Sequence, residues 1–343
     1  MPPAAPGFML AVSEGVVDRM MRSWTWRVAL IAALMLAAGA ANAAWPENAV
    51  RWIVGYPPGS GTDIVARLIG QRLSVSLGQP VVIENKPGAG ASIAMDTVAK
   101  APPDGYTIGM ADTGPLSINP ALYKSLGYDP VASFTPITLI ANLPFVLVVH
   151  PSLPVHSVAE LIAYAKSRPG AIDYASVGNG SSVHLATELF KQMAGIDLVH
   201  IAYKGSAPAL QDLIAGQVSV MFVNLLSVRP ALAGNQLRPL AVSSATRLAA
   251  LPDLPTVAEA GVPGYAYVSW FGMVAPAKTP PEIIARLHAD TVAILAEPDL
   301  HQRLIEQGGV EPVGSTPEAF AATIRDDLAR YAELVKRVGA HID

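Results

Sequence analysis

The sequence predicts an α/β protein of two lobes, each a mixed, mostly parallel sheet flanked by helices, with two strands crossing between the lobes as a hinge. Three observations predict it. Short β-branched runs alternate with segments that are apolar at helical spacing, the pattern of parallel strands joined by helices. A Gly-rich turn between a strand and a helix occurs near residue 60 and again near residue 180, so the same device stands in each half of the chain. Two long apolar stretches, 134–150 and 267–275, are suited to crossing from one sheet to the other. The expected lobes are 44–143 with 268–343, and 144–267, with a ligand cleft between them. Ligands of open parallel sheets bind beyond the carboxyl ends of strands, where these turns lie.

The first turn, Tyr56-Pro57-Pro58-Gly59-Ser60-Gly61-Thr62-Asp63, organises the rest. It follows the apolar run Val50–Val54, a buried strand, and precedes Ile64–Leu77, where Ile64, Val65, Leu68, Ile69 and Leu73 recur at helical spacing. Pro57 and Pro58 stiffen the chain, and Gly59 and Gly61 permit close backbone approach. Ser60 and Thr62 are candidate N-caps. The first N–H groups of a helix lack internal partners and sit at its positive dipole end, so such a turn is an anion site built of backbone. The bland alternative is a well-capped strand–helix turn.

The remaining elements follow in order. Gly78 and Pro80 end the first helix, and Val81–Asn85 is a second strand. Lys86–Ala91 is another Gly-rich turn, opening a helix from Ser92 to Lys100 that Pro102 and Pro103 stop. Tyr106–Ala111 is the third strand, ending in Asp112-Thr113-Gly114-Pro115. Leu143–His150 is the strand expected to enter the second lobe, despite Pro136 and Pro144 in the longer apolar run. Then come a helix at 158–168, a strand at 173–176 and the turn Val177–Ser182. A helix at 183–193, with Gly195 as its cap, and a strand at 198–201 lead to the turn Tyr203–Pro208, where Pro208 suits a first helical turn. Strands at 218–223 and 237–243, the crossing segment 267–275, and helices at 280–296, 298–307 and 316–338 complete the chain. No repeat of 20–50 residues is visible, which excludes a solenoid.

Composition narrows the function. The 343 residues are 51% hydrophobic and only 15% charged, enough for two cores and unlike a disordered chain. A net charge of −4 leaves no basic footprint for nucleic acid or an acidic membrane surface. Cysteine is absent, which removes thiol catalysis, Cys-ligated zinc, iron–sulfur clusters and disulfides. Arg22 and Arg27 precede the apolar run Val28–Ala41, and Ala41-Asn42-Ala43 supplies small-x-small cleavage spacing. Residues 1–43 therefore read as a secretory signal peptide rather than a membrane span of roughly 20 residues. Glu14 and Asp18 are unusual in a signal's first part, so Met20 or Met21 is the expected true start.

Enzyme signatures are missing. No G-x-x-x-x-G-K-[ST], G-x-S-x-G or H-E-x-x-H string occurs, and Gly88-Ala89-Gly90 lacks the third glycine of a dinucleotide fingerprint. His184 can serve as a base or as a cleft wall, and Asp63 as a base or as a dipole partner of its helix. Lys204 suits a ligand carboxylate or open solvent, and Tyr203, Trp270 and Phe271 suit either cleft or core. If the turns at 59–63 and 178–182 face one cleft, two helix starts grip a small carboxylate. No catalytic residue, metal or cofactor is expected. The ligand-binding residues expected are Tyr56, Gly59, Ser60, Gly61, Thr62, Asp63, Thr113, Gly114, Gly178, Asn179, Gly180, Ser181, Ser182, His184, Tyr203, Lys204, Asn224 and Phe271.

With these turns in place, the chain resembles the Bug-type receptors, the periplasmic solute-binding proteins of tripartite tricarboxylate transporters. The matching strings include Tyr56-Pro57-Pro58-Gly59 with Asp63-Ile64-Val65-Ala66-Arg67, Val82–Gly90, Pro103-Asp104-Gly105-Tyr106-Thr107, Gly180–Phe190, Tyr203–Leu210 and Leu251–Thr256. The resemblance covers essentially all of the chain after residue 43. It implies a type II periplasmic-binding fold that closes on a small carboxylate held by backbone and hydroxyl donors. It also implies a periplasmic, monomeric receptor that delivers this ligand to permease subunits of such a transporter. Alternatives are a ligand-loaded receptor docking on a membrane sensor, and a secreted α/β enzyme using Asp63 or His184. The chain departs from the family pattern at Ser60 and Ala91, where glycine is common. It departs again at Ser219, where an aspartate is common and the loss of a charge near the cleft floor is expected.

Overall fold

One strand, β4 (Phe134–Val149), belongs to both halves of the sheet. The computed structural model describes residues 45–338; the expected signal peptide lies outside them. Contacts divide the chain after Glu47, and the body from Asn48 onward is described here. Its first half contains β1 (Val50–Val54), α1 (Gly61–Leu77), β2 (Val81–Asn85), α2 (Ser92–Ala99), β3 (Thr107–Asp112) and α3 (Asn119–Leu122). After β4 come α4 (Val158–Lys166), β5 (Asp173–Ser176), α5 (Ser182–Ala194), β6 (Val199–Ala202), α6 (Ser206–Ile214), β7 (Val220–Asn224), α7 (Leu225–Ala233) and β8 (Arg238–Val242). The chain then returns through β9 (Val268–Pro276), α8 (Pro281–Leu295), α9 (Pro298–Gln302), β10 (Glu311–Pro312) and α10 (Pro317–Val338).

The strand order is β2-β1-β3-β9-β4-β7-β5-β6, with β8 and β10 also paired to β4. β1 pairs in parallel with β2 and β3, and β5 in parallel with β6 and β7. β9 is antiparallel to both β3 and β4. Residues 134–144 of β4 pair with β9, and residues 145–149 pair with β7. The expected crossing strand therefore starts at Phe134, earlier than residue 143. Its prolines fall at irregular points of the ladder, where proline is tolerated. Pro136 adjoins a register shift, and Pro144 is the last residue facing β9 before the partner changes.

Each half has its own core. Ile53, Met95, Leu116, Trp270, Phe320 and Ile324 are buried together in the first, and Val146, Val148, Leu213, Met221, Val223 and Val228 in the second. Helix ends follow local chemistry. Ser60 caps α1 by accepting from the Asp63 N–H, and Gly78 ends it in the left-handed conformation. Two helical segments were not expected. Residues 114–122 coil directly after β3, and α7 forms despite Pro230. Asn224 starts α7 by accepting from the Ser227 N–H.

The crossover itself is tied by Ser243, which is fully buried. Its N–H donates to the Phe145 carbonyl at 2.8 Å, and its carbonyl accepts from the Tyr267 N–H at 2.8 Å. Its hydroxyl accepts from the Phe145 N–H at 2.8 Å and donates to the Tyr267 carbonyl at 2.6 Å. The rings of Phe145 and Tyr267 stack with centroids 6.1 Å apart. One residue thus joins β4 to the segment that returns into β9.

Two stability outcomes follow. Ser243→Ala strands the buried Phe145 N–H and removes a second bond, so it lowers unfolding free energy by about 1–3 kcal/mol in urea melts. Gly272→Ala places a Cβ 2.1 Å from Cζ of buried Phe320, whose ring packs edge-on against Trp270. It costs about 1–3 kcal/mol by overpacking, read the same way.

Candidate functional site

Four helix starts converge on one small cavity of about 40 Å³. Ser60, Gly61 and Thr62 come from α1, Ser182 and Val183 from α5, Ser206 from α6, and Asn224 caps α7. The expected device of two facing turns is present and doubled. Each start follows a strand, β1, β5, β6 or β7, so these parallel strands aim their carboxyl ends at one hollow. The wall is completed by Tyr56, Asp112, Leu143, Phe145, Val177, Ser269 and Phe271. Close approach depends on glycine. A Cβ on Gly61 would lie 2.6 Å from the Asn224 amide, and one on Gly205 would lie 2.4 Å from Cδ of Pro57.

Several hydroxyls stand in or just behind the cavity wall. The Ser60 oxygen accepts from the Asp63 N–H, which leaves its O–H free. Ser269 Oγ lies 3.1 Å from both Ser182 Oγ and Thr113 Oγ1, and Thr113 Oγ1 accepts from the Trp270 N–H at 3.0 Å. Among the described residues, no lysine, arginine or histidine lines this cavity, and the one ionisable carboxyl lining it is Asp112. Oδ1 of Asp112 accepts from the Gly114 N–H at 2.7 Å and from the Tyr56 hydroxyl at 3.4 Å. Oδ2 is buried without a protein partner. Burial pushes the Asp112 pKa up to about 7, against the pull of those two hydrogen bonds.

A second hollow, of about 240 Å³, shares Tyr56 and Val177 with the first. It is lined by Gly88–Ala91, Gly178, Asn179, Tyr123, Tyr203 and Lys204, among others. Here too the halves touch. A Cβ on Gly90 would lie 2.8 Å from the Asn179 carbonyl, and one on Gly180 would lie 2.3 Å from Asn119 Oδ1. Ala91 holds the left-handed conformation at φ 70 where glycine is common in the resembling family. Tyr203 donates its hydroxyl to Asp212 at 2.8 Å, and burial together with Asp212 pushes its pKa up to about 12. Lys204 stands exposed at the rim.

Of the expected ligand residues, Tyr56, Ser60, Gly61, Thr62, Ser182, Asn224 and Phe271 line the small cavity. Gly178, Asn179, Tyr203 and Lys204 line the larger hollow. Of the others, Gly59 is exposed, and the rest stand behind these walls. Asp63 accepts from the Gly59 N–H, Arg67 and Asn85. Burial raises its pKa, but these partners outweigh it and the net shift is downward. The Ser181 oxygen accepts from the His184 N–H, and His184 stacks on His200 with centroids 4.2 Å apart. Burial lowers the pKa of both imidazoles, that of His200 to about 4. Thr113 and Gly114 support Ser269 and Asp112 respectively, and Gly180 touches Asn119.

Sequence reasoning missed Asp112, Ser206 and Ser269. The signal for Asp112 was its place at the end of a strand beside Thr113 and Gly114; nothing local marked Ser269. One expectation is corrected. Ser219 precedes β7, whose far end, Asn224, reaches the cavity, and its N–H donates to Asp173. At about 3.3 Å per strand residue it sits at the wrong end to be the cleft floor. Among the described residues, no group of three His, Asp or Glu is arranged to hold a metal ion.

Residues 65–340 match the family model described as the tripartite tricarboxylate transporter family receptor. Protein BugT of Bordetella pertussis is 36% identical over 313 residues, which cover 91% of this chain and 96% of BugT. Among solved structures, R. palustris Rpa4515 with adipate is 43% identical, with a TM-score of 0.85 over 87% of this chain and all of that one. MatC from Rhodopseudomonas palustris with bound malate is 32% identical, with a TM-score of 0.80 over 85% of this chain and all of that one. The fold is therefore the two-lobed type II periplasmic-binding fold. By its matched length and these similarities, the chain belongs to the tripartite tricarboxylate transporter receptors of the Bug type.

Proposed function

We propose that this chain is an extracytoplasmic receptor, exported by its N-terminal signal, that captures a small carboxylate and delivers it to a membrane permease. The observation that carries this reading is the convergence of four helix starts on one small cavity whose described lining residues include no cation. Helix starts offer unpaired N–H groups and a positive dipole end, which suits an anion. A cavity of about 40 Å³ has room for a small polar group such as one carboxylate, since a single water needs about 10–15 Å³ of volume measured this way. The adjoining hollow of about 240 Å³ has room for a short carbon chain and its distal end. The relatives bound to adipate and malate are consistent with an acid of this size.

In this reading residues 44–143 with 268–343 form one lobe and 144–267 the other. α1 brings its N–H groups from the first, and α5, α6 and α7 bring theirs from the second. Ligand then favours the closed arrangement, because only there does it meet both sets. Chemistry on the ligand has no support: Asp63 is committed to Arg67 and Asn85, and His184 is packed on His200.

Titration calorimetry against a panel of mono- and dicarboxylates tests the reading. Saturable one-to-one binding of at least one member is expected; no binding by any, with turnover of some substrate, overturns it. Closure has its own test. Gly61→Ala wedges a Cβ against Asn224 only when the lobes meet. It is expected to weaken ligand affinity about tenfold or more, while the melting temperature of the ligand-free protein changes little.

A further inference from the structure

Asp112 is the feature of the cavity that a simple anion site does not explain. It ends β3, is only 2% exposed and lines the hollow in which the proposed carboxylate sits. Two carboxylates cannot share so small a space while both are charged. Something must separate or neutralise them, and among the described residues the cavity wall has no lysine, arginine or histidine to do it.

We infer that Asp112 is the specificity-determining residue of this cavity: in the loaded receptor it is a neutral carboxylic acid that donates its Oδ2 proton to the captured carboxylate. The inference rests on the receptor reading above. Its geometry is asymmetric in the required way. Both protein donors, the Gly114 N–H and the Tyr56 hydroxyl, fall on Oδ1, which acts as acceptor. Oδ2 is buried and unpartnered by protein, so it is the oxygen left to carry a proton and meet a ligand. An ammonium group on the ligand would also satisfy an ionised Asp112. The cavity argues against it, because four positive helix ends surround a space for one carboxylate-sized group.

The groups facing Asp112 do not supply the proton. Tyr56, from the turn before α1, and Tyr128, from the loop after α3, are phenols pushed upward mainly by burial. Phe271 pairs with Asp112 across β9, and α5 contributes Ser182. The proton therefore comes from solvent, no ligand bond changes, and uptake approaches one proton per ligand above pH 7, where the free Asp112 is ionised. The sign follows from linkage. A bound carboxylate raises the Asp112 pKa further, so affinity is full below the free-state value of about 7 and declines above it.

The test is calorimetry with adipate as probe between pH 6 and 9, in paired buffers of different ionisation enthalpy. The expected result is close to one proton taken up per ligand at pH 8, with affinity falling about tenfold per pH unit above pH 7. Asp112→Asn keeps a donor in place of Oδ2 but cannot titrate, so it is expected to bind with no proton uptake and a flat pH profile. Binding by the wild-type protein with no uptake overturns the inference and leaves the receptor reading standing. Uptake that persists in Asp112→Asn also overturns it. So does glutamate binding at least tenfold more tightly than glutarate without uptake, since Asp112 would then accept from an ammonium. Failure of every carboxylate to bind overturns both readings together.

Discussion

The arrangement depends on the crossing of β4 from one half-sheet to the other. A strand of 16 residues spans about 50 Å, long enough to serve two sheets, and its partner changes from β9 to β7 at Pro144 and Phe145. A change of partner exposes backbone groups that must find other bonds, because buried unpaired N–H and C=O groups are costly. Ser243 meets that need with its N–H, its carbonyl and its hydroxyl. The seam can therefore be buried and still be fully bonded. Because β1 lies on one side of the seam and β5, β6 and β7 on the other, their carboxyl ends face a common hollow.

In the proposed reading, that constraint yields an anion site whose described lining residues include no cation. Arginine or lysine would hold a carboxylate by charge, at the cost of desolvating a second ion. Helix starts and hydroxyls hold it with groups that fold into place anyway: Ser60 and Asn224 already cap helices, and Ser182 is already bonded to Ser269. Preorganised donors of this kind need little rearrangement when the ligand arrives. The tight contacts at Gly61, Gly90, Gly180 and Gly205 make the closed arrangement sensitive to a single methyl group. In the same reading, Asp112 adds a carboxyl whose own charge has to be resolved before another acid can enter.

Much of this was legible in the chain. Strand and helix alternation, the capped turns at 60 and 180, and the two crossing segments were readable because they are local or periodic signals. Ser60, Gly61, Thr62, Ser182 and Asn224 line one cavity, although nothing local says that their turns meet. What stayed hidden has a common cause. The early start of β4 was masked by two prolines whose tolerance depends on which strand lies opposite. α7 was masked by Pro230, and its start is secured by a cap rather than by propensity. Asp63 and His184 looked like chemistry because their residue types allow it, but their atoms are committed to Arg67, Asn85 and His200.

By itself the sequence determined the α/β class, the turns, the resemblance to a receptor family and the absence of cysteine chemistry, since each rests on residue identity or short-range spacing. Only the tertiary structure decided that four helix starts rather than two share a cavity, that Ser243 binds the crossing, that Ser219 stands at the far end of its strand, and that Asp112 is buried there with a bare oxygen. Those facts depend on contacts between residues tens to hundreds of positions apart, such as Phe145 with Ser243 and Ser182 with Ser269. A pattern read along the chain does not carry that distance; the packing of one half-sheet against the other does.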